Sequence, residues 1–224
     1  MENGRCAHYF DNRQHGDDAW LVREFGPCSV LDAVFDGIST ANGSIASSLT
    51  SRKLAEASIA TSDDVIGVLE EANDELYERY HGGSATTATV SVKVGGRLYV
   101  INVGDSPVFI VRNGIIGEVT TLDKDPAESP AYVTNFVGRR EFIYHMTQMD
   151  LTGGDRLLVM TDGISDNVYP AEIADIFHGC RTPLGTIRKL RKLMSYKRST
   201  DAGRDDVYGR FKEDDVTAIV RYFM

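Results

Sequence analysis

The chain has 224 residues, 42% of them hydrophobic and 25% charged, with a formal net charge of −9. This length suits one large domain with packed layers, and the acidic balance argues against a general nucleic-acid binder. No apolar run approaches the roughly 20 residues of a membrane helix, so no membrane role is expected.

The opening MENGRCAHYFDNRQHGDD lacks the apolar core of a signal peptide. Cys6, Cys28 and Cys180 show no paired metal spacing and fit reduced thiols, so a cytoplasmic location is expected. Asp18–Glu24 and Ser29–Asp36 read as strands, the second almost wholly apolar, as a buried central strand would be. Helices are expected over Ser44–Ala60 and Asp63–Tyr80. In the second, Val65, Leu69, Ala72 and Leu76 fall at helical spacing behind acidic residues that the helix dipole favours. His81-Gly82-Gly83 breaks the pattern. Strands then follow at Thr87–Val94, Arg97–Val103, Val108–Arg112 and Ile115–Thr121, with hairpin signals at Gly95-Gly96 and Asn113-Gly114. After a loop at Asp123–Pro130 come strands Glu141–Met149 and Arg156–Thr161, helices Tyr169–Phe177 and Leu184–Tyr196, and a last strand, Val216–Phe223. Grouped rather than alternating elements imply an α+β fold. The expectation is a single domain over residues 1–224, a four-layer αββα sandwich of two antiparallel sheets flanked by helices.

Four acidic islands stand where apolar runs stop: Asp17-Asp18, Asp36-Gly37, Asp162-Gly163 with Asp166, and Asp214-Asp215. If the fold gathers them, each pair about 4 Å apart repels by about 4 kcal/mol at an effective dielectric near 20. Such a cluster needs protons or cations between its members. The five histidines show no His-Glu-x-x-His spacing and the thiols are unpaired, so magnesium or manganese is expected rather than zinc. A nucleotide P-loop is absent, and no cysteine is followed by an arginine at the offset a thiol nucleophile would need. Asp123–Asp125 reads as a solvated turn, and the basic run Arg188, Lys189, Arg191, Lys192, Lys197 and Arg198 as a solvated helix face.

In order along the chain stand Arg13-x-x-Gly16-Asp17-Asp18, Val34-Phe35-Asp36-Gly37, Gly83-Ser84-Ala85-Thr86-Thr87-Ala88, LYVINVGDS (Leu98–Ser106), Asp162-Gly163-Ile164-Ser165-Asp166-Asn167 and Asp214-Asp215-Val216-Thr217. This series resembles the motifs of the metal-dependent protein serine/threonine phosphatases of type 2C, over nearly the whole chain. The resemblance implies hydrolysis of phosphoserine and phosphothreonine in phosphorylated proteins by a hydroxide held between two divalent cations, Mn2+ or Mg2+. It implies that Asp36 bridges the two ions, that Asp162 and Asp214 complete one site, and that Asp17 and the Gly37 carbonyl serve the other. Asp18 would orient water, Arg13 would hold the substrate phosphate, and Asp105 and Asp166 would form a third, weaker site with Asp162. A monomer without nucleic-acid or membrane partners is expected. The alternative is a pseudophosphatase or phosphoprotein-binding module on the same scaffold.

The chain departs from the resemblance in three places. Ile38-Ser39-Thr40 replaces the usual His-Gly-Gly or Met-Gly-Gly, so a general acid must come from elsewhere. Only about a dozen residues, Asp123–Asn135, stand where a helical flap is common, which implies a more open site. Pro107 follows Ser106 where arginine is usual.

Overall fold

The computed structural model describes residues 2–125, 132–207 and 209–224. Ten strands pair into two five-stranded sheets, every neighbour antiparallel. The first sheet runs β1 (Arg5–Asp11), β10 (Val216–Tyr222), β9 (Arg156–Met160), β6 (Val108–Arg112) and β7 (Ile115–Glu118). The second runs β2 (Ala19–Gly26), β3 (Ser29–Phe35), β4 (Ala88–Val94), β5 (Arg97–Val103) and β8 (His145–Asp150).

Strand side chains alternate between two faces, and this alternation builds three apolar layers. On β3, Leu31, Ala33 and Phe35 pack under α1 (Gly43–Glu56) and α2 (Ser62–Tyr80), while Val34 turns toward the other sheet. On β10, Val216, Ala218 and Val220 pack under α4 (Pro170–His178) and α5 (Pro183–Thr200), while Ile219 turns inward. Val34, Val100, Val108, Leu157, Val159 and Ile219 meet between the sheets. The result is the four-layer αββα sandwich. Among the described residues no helix is long and apolar enough to cross a membrane.

The registers place the acidic islands. Ala19 lies opposite Phe35, and Ala88 opposite Val103, so β2 begins where β3 and β5 end. In the first sheet, Val216 faces Asp11 and Ala218 faces Met160, so β10 begins where β1 and β9 end. Each sheet therefore delivers its islands to one end.

Some expectations need correction. β1 was not expected. Only Tyr9 in it is buried, with Ala7 packed partly beneath, so its polar outward residues conceal an edge strand. The strand expected from Glu141 begins at His145, because pairing with β5 ends where Asn102 lies opposite that residue. The helix expected to Ala60 stops at Glu56, since Ala57 is already extended and Thr61 caps the next helix through Asp64. The basic face on α5 is only partly solvated. Lys197 is buried and paired with Glu172 at 2.9 Å, Arg198 pairs with Glu213 at 3.1 Å, and Arg191 lies over the Tyr9 ring. Of the Asp123–Pro130 loop and the flap-length segment Asp123–Asn135, residues 126–131 lie outside the described residues.

Candidate metal centre

Asp36 follows β3 and is fixed through its backbone. Its N–H donates to the Thr87 hydroxyl at 3.1 Å, and its carbonyl accepts from Thr87 N and Thr86 Oγ1 at 2.8 and 2.9 Å. Gly37 next to it lies against Gly43 at the start of α1. A Cβ on Gly37 would run into the Asp17 carbonyl oxygen and the Gly43 backbone, and one on Gly43 into the backbone of Gly37 and Ile38. Only glycine at both positions permits this crossing. Asp162 follows β9 and opens the short helix α3 (Asp162–Ser165), where Gly163 packs on the Asp215 carbonyl.

The sandwich brings Asp36, Asp105 and Asp162 together, each offering a carboxylate oxygen within 4.8 Å of the others. Asp105, expected only at an outer site, belongs to this tight group. Asp214 joins it through Lys212, whose ammonium lies 2.6 Å from Asp162 Oδ2 and 2.9 Å from Asp214 Oδ2. Asp166 accepts from Lys212 at 3.2 Å on Oδ2 and from Lys124 at 2.9 Å on Oδ1.

Two expected residues have partners outside the cluster. The Asp17 carboxylate accepts from Ser44 N at the N-terminus of α1, at 3.0 Å. Arg13 forms a two-point pair with Asp11, and its side chain is 78% exposed. Asp18 is buried behind the cluster, where Oδ2 accepts from Thr161 Oγ1 at 3.1 Å and Thr217 Oγ1 at 2.6 Å. Thr217 lies on β10 and Thr161 directly follows β9, so these two hydroxyls tie Asp18 to the first sheet.

The electrostatics are those of crowded, buried acids. Burial, followed by the charges of Asp162 and Asp18, pushes the Asp36 carboxyl well above the usual range. Burial and the Asp162 charge push Asp105 up to about 7. The same two causes raise Asp166 and Asp214. Burial, moderated by Thr217 and reinforced by Asp215, raises Asp18. Burial also acts upward on Asp162, but the charges of Lys212 and Lys124 outweigh it and hold that carboxyl well below the usual range. With Asp36 ionised, buried Asp162 Oδ1 has no hydrogen-bond partner among the described residues; a protonated Asp36 carboxyl can donate to Asp162. An orphaned carboxylate oxygen is costly, and here it belongs to an all-oxygen donor set of the kind hard divalent cations take. The residues fit magnesium or manganese.

Several residues of the site were not legible beforehand. Asp215 accepts from four consecutive backbone N–H groups, Gln14 and His15 on Oδ1 and Gly16 and Asp17 on Oδ2, at 2.8–3.1 Å. Its place in the last acidic island was the available signal. Lys124 and Lys212 carried no signal, because only the fold sets them among the acids. Asp123, expected to be solvated, is an anchor: its carboxylate takes Gly104 N, Asn135 Nδ2 and His145 Nε2 at 2.8, 2.8 and 2.7 Å.

A family model described as Stage II sporulation protein E (SpoIIE) matches residues 30–222. Among curated relatives, "Probable protein phosphatase 2C 80" of Arabidopsis thaliana is 28% identical over 99% of this chain and 58% of its own length. The chain thus spans little more than half of that relative. The PPM Ser-Thr phosphatase MsPP from Mycobacterium smegmatis, solved in complex with cacodylate, superposes with a TM-score of 0.78 at 23% identity over 100% of both chains. The catalytic domain of the phosphatase PstP, solved with 2 manganese ions, superposes with a TM-score of 0.75 at 22% identity over 96% of each. The fold is therefore that of the PPM phosphatases, and the matched span of 30–222 shows that the chain belongs to the SpoIIE/type 2C-like phosphatase family.

Proposed function

We propose that residues 1–224 act as one catalytic domain that hydrolyses phosphoserine and phosphothreonine in phosphorylated proteins, using two divalent cations, Mn2+ or Mg2+. The observation that carries this reading is the meeting of Asp36, Asp105 and Asp162 around the orphaned Asp162 Oδ1. Asp36, Asp105, Asp162 and Asp214 would hold the ions. Asp17 and the Gly37 carbonyl, at the crossing of β3 and α1, would complete the second set. Bound there, the ions supply Lewis acidity, lowering the pKa of water and offsetting charge on phosphoryl oxygens.

The chain's own residues position the rest. Asp18, fixed by Thr161 and Thr217, stands behind the ligands as an acceptor able to orient a water. The cleft over the carboxylates has a volume of about 190 Å³ and is lined by His15, Ile38, Ser39, Thr87 and Val133 besides the acids and Lys212. This room suits a phosphorylated side chain, with the remainder of a protein substrate lying outside. Arg13 reaches a phosphate there only by leaving Asp11. The free thiols of Cys6, Cys28 and Cys180 suit a reducing cytoplasm, and a monomer without nucleic-acid or membrane partners completes the proposal.

The test is hydrolysis of a phosphothreonine peptide and of a small aryl phosphate with Mn2+, Mg2+ or chelator, by wild type and Asp36→Asn. Metal-dependent turnover that prefers the peptide and drops to background in Asp36→Asn is expected. Mn2+ binding without turnover would instead favour a phosphoprotein-binding module.

A further inference from the structure

We propose that the third cation of this centre is built into the chain: the Lys124 ammonium stands between Asp105 and Asp166, so the domain takes two divalent ions and no third. The inference rests on the two-ion reading above. Lys124 Nζ lies 2.9 Å from Asp166 Oδ1 and 3.4 Å from Asp105 Oδ2. The other Asp166 oxygen faces the Lys212 ammonium. Both oxygens of Asp166 therefore carry a positive charge from the protein itself. The Lys212 ammonium stands likewise between Asp162 and Asp214, but Asp162 keeps Oδ1 clear of any ammonium, whereas Asp166 keeps neither oxygen clear. A divalent ion bridging Asp105 and Asp166 would have to expel the Lys124 ammonium from between them.

The placement of both lysines is preorganised. Lys124 follows Asp123, whose carboxylate grips Gly104, Asn135 and His145 and whose backbone pairs with Gly104 and Thr134. This clamp sets Lys124 beside Gly104-Asp105 before any ion arrives. A second clamp sets Lys212, because buried Asn167 accepts from Lys212 N at 2.8 Å and donates to Lys212 O at 2.9 Å. Side chains with long free stems are costly to order, and the clamps fix where each stem starts. Charge counting agrees. Asp17, Asp36, Asp105, Asp162, Asp166 and Asp214 against Lys124 and Lys212 leave a deficit of four positive charges, which two divalent ions match. Lys124 also lines a cavity of about 400 Å³ with Glu118, Leu122, Asp166 and Arg204, so truncating it would widen the wet space beside Asp166.

The test counts Mn2+ ions on the whole chain by native mass spectrometry and isothermal titration. Wild type and Lys124→Arg are expected to bind two ions, and Lys124→Ala three. The third is expected to disappear in Lys124→Ala/Asp166→Asn. Three ions on wild type, or two on a folded Lys124→Ala protein, would overturn the inference while leaving the metal-dependent reading intact. No Mn2+ on any of the proteins would remove that reading and this inference with it.

Discussion

Four consecutive N–H groups converge on the two carboxylate oxygens of Asp215, so the backbone of residues 14–17 is wrapped around one side chain. Asp17 is held in place by this wrapping. Asp215→Ala is expected to release the segment and cost about 1–3 kcal/mol, since exposed Gln14 and Gly16 can recover water partners. Asp215→Asn should lie between, because an amide offers one acceptor oxygen instead of two. Limited proteolysis between residues 13 and 17, read by mass spectrometry beside Mn2+ affinity, checks both; undiminished protection in Asp215→Ala would refute the role. The acids make a second prediction at this scale. In the metal-free protein the Asp105 carboxyl is raised from 3.8 to about 7, and Asp36 and Asp18 are raised with it. The folded state then binds more protons than the unfolded one between those values. Stability is full below about pH 4 on this account and falls as pH rises through 7. The depressed Asp162 works in the opposite sense, but only below its ordinary 3.8. Thermal unfolding in chelator should show Tm declining as pH rises from 4 through 7. Saturating Mn2+ should abolish the decline, because cations replace the protons.

At the scale of elements, the site depends on how closely α1 approaches the end of β3. Gly43→Ala places a methyl group against the backbone of Gly37 and Ile38, and neither can move without shifting Asp36. The substitution should weaken Mn2+ binding and destabilise the fold, although alanine is the better helix former. Gly67, in the middle of α2 with open space around its Cβ position, is the control. Gly67→Ala should gain about 1 kcal/mol and raise Tm by roughly 2–4 °C, with Mn2+ affinity unchanged. Equal effects at the two positions would show that the crossing does not matter. Elements of this kind also show what a sequence reveals. Val65, Leu69, Ala72 and Leu76 are buried in α2 as their spacing implied, because helical period alone decides which side faces a sheet. Asp36 and Asp162 were legible for a similar local reason, as acids ending buried strands. β1 was hidden because an edge strand buries little and leaves its polar residues outside. Lys124 and Lys212 were hidden because their partners lie up to 50 positions away, as Asp162 does from Lys212, and register rather than pattern brings them together.

For the molecule as a whole, the two sheets must stay in one relative position, since Asp36 and Asp105 hang from one and Asp162 and Asp214 from the other. The apolar layer between them resists separation but is poor at fixing position, because aliphatic contacts are non-directional. Arg221 on β10 and Asp32 on β3 supply direction. The guanidinium meets both carboxylate oxygens at 2.6 and 2.7 Å and also donates to Asn3 O at 2.9 Å, with Arg221 and Asp32 0% and 1% exposed. A fork of this kind adds geometric specificity to charge. Removing only the arginine strands a buried carboxylate, so Arg221→Met should cost about 3–5 kcal/mol. At 2–4 °C per kcal/mol for a chain of this size, Tm should fall by roughly 6–20 °C. Replacing both partners, as Arg221→Met/Asp32→Leu, removes the stranded charge and should recover most of the stability. If the pair also fixes the sheets, the double variant should unfold near the wild-type temperature yet bind Mn2+ more weakly, because its two halves of the ligand set are no longer held in register. Full recovery of both Tm and Mn2+ affinity would show that the apolar layer alone fixes the alignment.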